Sequence, residues 1–140
     1  MPQLNMPTVA SLGPAGGKES ILAVDDDALI RALVAEQMTS LGYRVTQAAS
    51  GDEALTILEG CNGGFDLLLS DILMPGMLDG LALAKIVRAR WPGLGVLLVS
   101  GFGGKSQAEA TAFLLLQKPF RKAELARSVR LALAGGGSDS

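Results

Sequence analysis

Asp25 and Asp26, Asp71, Ser100 and Lys118 each stand at or just beyond the end of a short apolar run. Because the chain contains no histidine, any site chemistry must be built from carboxylates, hydroxyls, lysine and backbone. That excludes a Ser-His-Asp or Cys-His site, a histidine-ligated metal and a phosphohistidine within this chain. Carboxylates in a cluster suit a hard, oxygen-preferring divalent ion such as Mg²⁺. An aspartate beside a cation can in turn act as a nucleophile toward a phosphoryl group. Singly, each residue also has a plain structural use: an acid at a strand end caps loop backbone, and Asp27 is a good N-cap for the helix that follows it.

The elements that position these groups follow from hydropathy. In Phe65-Asp66-Leu67-Leu68-Leu69-Ser70-Asp71-Ile72-Leu73-Met74-Pro75, three consecutive leucines suit a strand buried on both faces, and Pro75 ends any ladder. Asp71 therefore sits where a buried strand opens into a loop, at the carboxyl edge where open α/β sheets bind ligands. Ile21–Val24 is a second short apolar run, halted by Asp25-Asp26-Asp27. From Ala28 the period becomes helical, with Ile30, Leu33, Val34, Met38 and Leu41 assigned to one buried face and Gly42 as the stop. Tyr43–Ala48 alternates as a half-exposed edge strand does. Ser50-Gly51-Asp52-Glu53 reads as a capping box for a helix carrying Ala54, Leu55 and Leu58.

Further on, a helix beginning near Asp79 or Gly80 presents Leu83, Ile86 and Val87 and stops before Pro92. Strands over 94–99 and 113–116 follow, with about two turns of helix between them over 105–112. A final helix carries Leu125, Val129, Ala132 and Leu133. Residues 1–19, with three prolines and three glycines, are expected to be a flexible leader, 20–134 the folded domain and 135–140 a flexible tail. Gly16-Gly17-Lys18-Glu19 is no phosphate loop: glutamate follows the lysine and no strand precedes it.

Five strands alternating with five helices imply a flavodoxin-like (βα)₅ α/β fold, a doubly wound parallel sheet in the order 2-1-3-4-5. The 140 residues suffice for one compact domain. With 12 basic against 14 acidic residues, the chain has no basic footprint for nucleic acid or a membrane surface, and no apolar run approaches a membrane span. The single cysteine, Cys61, forms no internal disulfide, which suits a reducing cytoplasm.

In that topology Asp25, Asp26, Asp71, Ser100 and Lys118 converge on one rim. Two carboxylates about 4 Å apart repel by roughly 4 kcal/mol at an effective dielectric near 20, so the cluster calls for Lys118 and a divalent cation together. Lysine and metal would neutralise phosphoryl oxygens, and the Ser100 hydroxyl would donate to one of them.

Val24-Asp25-Asp26, Asp71 with Met74-Pro75, Ser100-Gly101 and Lys118-Pro119-Phe120, in this order and each at a strand end, resemble the receiver domains of two-component response regulators. The resemblance covers about residues 20–134. It implies that Asp71 accepts phosphate from a phosphohistidine on a histidine kinase or histidine phosphotransfer protein. Asp25, Asp26, Asp71 and the backbone carbonyl of Leu73 would hold Mg²⁺; Ser100 would be the switch hydroxyl and Lys118 the phosphate-contacting lysine. It further implies a cis Lys118–Pro119 bond, an unidentified downstream protein partner, and a monomer or weak dimer. The Ser-Gly-Phe and Gln-Lys-Pro-Phe style resembles receivers attached to hybrid histidine kinases.

Three departures from the pattern stand out. Leu115 replaces the family's switch aromatic, only 17 residues separate Ser100 from Lys118, and the loop Gly76-Met77-Leu78-Asp79-Gly80 is one residue longer than the common form. Leu73 and Phe102, each two residues beyond a key position, are placed to exclude hydrolytic water and slow the loss of phosphate. Other functions fit less well. A binding-only pseudo-receiver does not require the intact acid cluster. An aspartate phosphatase needs a second acid where Leu73 stands. A flavin module would be repelled by the acids after the first strand.

Overall fold

The computed structural model describes residues 19–74, 78–101 and 113–135. In chain order the elements are β1 (Ser20–Val24), α1 (Ala28–Ser40), β2 (Arg44–Ala48), α2 (Gly51–Gly60), β3 (Leu67–Asp71), α3 (Gly80–Arg90), β4 (Gly95–Ser100), β5 (Leu114–Gln117) and α4 (Lys122–Gly135). The strands form one parallel sheet ordered β2-β1-β3-β4-β5, the doubly wound arrangement expected from the sequence. The helix expected over 105–112 and most of the leader and tail lie outside the described residues.

Period-2 geometry explains how three leucines in a row fill a central strand. Leu67 and Leu69 face one layer, with Ile21, Leu97, Val99, Leu125 and Val129; Leu68 faces the other, with Leu22, Leu58, Leu83, Val87 and Leu98. The first layer lies under α1 and α4, the second under α2 and α3. The edge strand β2 is largely exposed, in keeping with its alternating sequence.

Helix starts follow local chemistry. Asp27 Oδ1 accepts from the N–H groups of Leu29 and Ile30 at 3.0 and 3.2 Å. Ser50 Oγ accepts from the Glu53 N–H at 3.0 Å, while Glu53 reaches back to the Ala49 N–H at 2.8 Å, one residue before the N-cap. Such caps are worth about 1 kcal/mol each.

One expectation is corrected. Leu33 is 53% exposed rather than buried, and Leu29 is 81% exposed. The buried residues of α1 are Ala35 and Met38, with Val34 and Leu41 packed partly against the same layer. At 100° per residue Leu33 lies about 140° around the helix from Met38, outside the stripe. Arg31, by the same geometry, falls between Met38 and Ala35, on the side facing the sheet.

The start of α3 is pressed against the end of β3. The Gly80 N–H donates to the Ile72 carbonyl at 2.8 Å. A Cβ on Gly80 would run into the Asp71 carbonyl oxygen and come within 2.9 Å of the Ile72 Cα, all backbone that cannot swing aside. Gly80→Ala is therefore expected to cost about 3 kcal/mol. Gly60→Ala, where a Cβ meets nothing within 4 Å, is expected to be neutral or to stabilise by up to about 1 kcal/mol. Urea unfolding of the two variants checks the contrast.

Candidate functional site

Asp71 is the last residue of β3, Ser100 the last of β4, Asp25 and Asp26 follow β1, and Lys118 follows β5. Because all strands run the same way, these ends share one rim. Val24 pairs with Ser70, so Asp25 and Asp71 come next to each other on adjacent strands. Parallel strands lie about 4.8 Å apart. One carboxylate oxygen from each of Asp25, Asp26 and Asp71 lies within 4.8 Å of the other two.

Lys118 answers this crowding. Its Nζ donates to Asp71 Oδ2 at 3.4 Å and lies 3.9 Å from Asp25 Oδ2. The Lys118–Pro119 bond is cis, as the family resemblance implied. Asp25 is buried, and its Oδ1 also accepts from the Asp27 N–H at 2.9 Å. Asp26 is exposed and Asp71 half-buried. Ser100 is buried; its hydroxyl donates to the Gly101 carbonyl at 3.3 Å, and its own carbonyl accepts from the Lys118 N–H at 2.7 Å. Leu73 is 64% exposed, two residues beyond Asp71. Phe102 lies outside the described residues, as do Pro75, Gly76 and Met77 of the lengthened loop.

Burial pushes the Asp71 carboxyl above its ordinary range; Lys118 opposes this through its charge, and Asp25 adds to the rise. The Lys118 hydrogen bond lowers it again and Asp26 raises it. At 4.8 Å or less, Asp25 and Asp71 repel by at least about 3.5 kcal/mol at an effective dielectric of 20. One lysine shared between two acids leaves the third, Asp26, uncompensated among the described residues. The donors that remain are all carboxylate oxygens, the set preferred by Mg²⁺ rather than by a softer metal.

The pattern of this rim is that of a known family, whose model, the response regulator receiver domain, matches residues 21–130. The chain belongs to the response regulator receiver domain family. It is 36% identical over 118 residues to the sensor kinase CckA of Brucella abortus, covering 81% of this chain and 12% of that protein. It is 41% identical over 101 residues to the DNA-binding transcriptional regulator NtrC of Klebsiella pneumoniae, covering 69% of this chain and 21% of that protein. The receiver thus spans only a minor part of these curated relatives. Among solved structures, a response regulator from Chloroflexus aurantiacus superimposes with a TM-score of 0.74 at 35% identity, covering 84% of this chain and 99% of that one. The Vibrio cholerae chemotaxis protein CheY4 gives 0.72 at 28% identity, covering 83% and 99%. Receiver domains generally bind Mg²⁺ at an aspartate cluster and interact with histidine kinases.

Within the receiver, Leu115 is half-buried in the α2/α3 layer, at the position where the resemblance expects an aromatic ring. Sequence reasoning missed Arg31, whose Nη1 donates to the Asp25 carbonyl at 2.7 Å and whose Nε donates to Gln47 Oε1 at 3.3 Å. Its only signal was its angular position on α1, obscured by the assignment of Leu33 to the buried face.

A carboxyl raised in the folded receiver contributes stability below its unfolded pKa and loses it as pH rises through the folded value. In metal-free protein, Asp71→Asn is thus expected to unfold at a higher temperature than the parent at pH 7. The difference should shrink as the pH falls to where Asp71 is protonated. Thermal unfolding in chelator across that range checks the sign.

Proposed function

We propose that this receiver accepts a phosphoryl group on Asp71 from a phosphohistidine of a partner histidine kinase or histidine phosphotransfer protein. The observation that carries the proposal is the Asp71 carboxylate held 3.4 Å from Lys118 beside Asp25 and Asp26. In the transfer, an Asp71 carboxylate oxygen forms a bond to phosphorus as the phosphorus–nitrogen bond to the donor imidazole breaks. The electron pair leaves with the imidazole, which takes a proton. Mg²⁺ held by Asp25, Asp26, Asp71 and the Leu73 carbonyl would supply charge neutralisation for the phosphoryl oxygens. Lys118 neutralises one further oxygen, and the Ser100 hydroxyl turns from the Gly101 carbonyl to donate to another.

The domain is a phosphoacceptor rather than an enzyme with a separate substrate; it catalyses only its own phosphorylation and dephosphorylation. It works in the cytoplasm through a folded domain of residues 20–134, as a monomer or weak dimer whose contacts with a downstream protein change on phosphorylation. Attachment to a hybrid histidine kinase fits its similarity to sensor kinases. Among the described residues no helix is long and apolar enough to cross a membrane.

Incubation with Mg²⁺ and a small phosphodonor such as acetyl phosphate is expected to add the mass of one phosphoryl group to the parent and none to Asp71→Asn. Chelation should abolish the gain. Modification of Asp71→Asn to the same extent would remove the proposal. Leu73, 64% exposed two residues beyond Asp71, is proposed to exclude hydrolytic water, so Leu73→Asn is expected to shorten the phosphoprotein lifetime several-fold. An unchanged decay rate would show that Leu73 has no part in excluding water.

A further inference from the structure

Arg31 holds the turn that carries two of the three acids without touching any carboxylate in the cluster. It leaves the first turn of α1 on the side facing the sheet and is half-buried. Its guanidinium bridges two separate pieces of the chain, the Asp25 carbonyl at 2.7 Å and the Gln47 side chain near the end of β2 at 3.3 Å. Its own N–H donates to the Asp27 carbonyl at 2.9 Å.

The peptide group that Arg31 grips is the one joining Asp25 to Asp26. Peptide planarity means that fixing this carbonyl also fixes the direction of the Asp26 N–H, and with it the rotation from which the Asp26 side chain departs. Asp25 has further anchors: its N–H donates to the Ala48 carbonyl at 3.2 Å, and its carboxylate accepts from Asp27 and approaches Lys118. The Asp26 carboxylate, in contrast, accepts no hydrogen bond from any described residue, and it is exposed. Its aim therefore rests on the backbone that Arg31 holds.

We infer that Arg31 is a positioning residue for the metal site, clamping the Asp25–Asp26 peptide so that Asp26 presents its carboxylate alongside Asp25 and Asp71. The inference rests on the receiver reading above. It opposes what charge alone dictates. A guanidinium near a bound cation repels it, so a purely electrostatic Arg31 would weaken Mg²⁺ binding and its removal would tighten it. A positioning Arg31 has the reverse sign. Groups that orient a metal's direct ligands typically account for 10- to 100-fold in affinity.

Calorimetric titration of Mg²⁺ into the parent, Arg31→Met, Arg31→Lys and Gln47→Leu separates these outcomes, with metal-free melting temperatures recorded alongside. Arg31→Met is expected to bind Mg²⁺ about tenfold more weakly than the parent. Arg31→Lys, which still offers a cationic donor to the carbonyl, should recover much of the loss. Gln47→Leu, which removes only the outer anchor of the guanidinium, should weaken binding to a smaller degree in the same direction. A lowered metal-free melting temperature with Mg²⁺ affinity unchanged would mark Arg31 as merely structural and overturn the inference. So would equal or tighter binding by Arg31→Met or, if that variant does not fold, by Gln47→Leu. A parent that binds no Mg²⁺ would overturn the receiver reading itself, and this inference with it.

Discussion

Crowded negative charge at the carboxyl end of a parallel sheet is the constraint on which the rest of this receiver depends. The register makes it unavoidable: Val24 pairs with Ser70, so the next residues of β1 and β3, Asp25 and Asp71, meet at the spacing of adjacent strands. Neither acid can retreat. Asp25 is buried and pinned through both its backbone and its carboxylate, and Asp71 closes a strand covered on both faces. The repulsion can be met only by cations reaching in from elsewhere. Lys118 does so from β5, two strands from β3, its backbone fastened to Ser100 on the strand between. One lysine against three carboxylates leaves a negative rim; burial raises the Asp71 carboxyl, Lys118 opposes the rise, and Asp25 and Asp26 add to it.

The two layers of the core serve this rim differently. On the α2/α3 side, Gly80 and Gly51 let backbone approach backbone: the first turn of α3 lies on the Asp71 carbonyl, and the start of α2 lies on the Leu78 carbonyl. The end of β3 and Leu78 are therefore met by main chain, which has no rotamers to change. The α1/α4 side is built differently. A cavity there is lined by Val34, Leu69, Val99 and Leu125 together with Asp25, Asp71 and Lys118. Side chains rather than backbone set the geometry there, and Arg31 and Lys118 both reach the rim across this layer.

Much of this could be read from the residues themselves. The Leu67–Leu69 run announced a strand buried on both faces, and the helix starts at Asp27, Ser50 and near Asp79 were set by short-range hydrogen bonds that local sequence encodes. The strand order followed from handedness and from the polarity of β2. Strand limits were off by one residue at β1, β2, β4 and β5, because residues such as Ser20 and Gln117 join the ladder through backbone pairing with a neighbour, which their side chains do not reveal. Leu33 was misplaced for a different reason. Leu29 and Leu33 form an apolar pair four residues apart that imitates a core stripe, and only the sheet decides which side of α1 turns inward. Arg31 was illegible because its partners, a carbonyl and a glutamine amide, belong to other segments and carry no charge to suggest a pairing.

The same reasoning bears on the position of Leu115. Phe113, the residue before β5, and Leu115 within it both pack into the α2/α3 layer, two residues apart. Phe113 is buried at the strand's start, and the Arg88 guanidinium carbon lies 4.2 Å from its ring centre. The aromatic bulk of this strand thus sits at the end remote from Asp71, while its rim-proximal position holds an aliphatic side chain. A ring can swing between two packed orientations as a unit. A leucine has only its staggered rotamers, and these displace far less volume. Leu115 is therefore a softer element at this end of β5 than a ring would be. The stiffer link of the Asp71 strand to its surroundings lies on the other side, where the backbone of Gly80 at the start of α3 meets the Asp71 carbonyl.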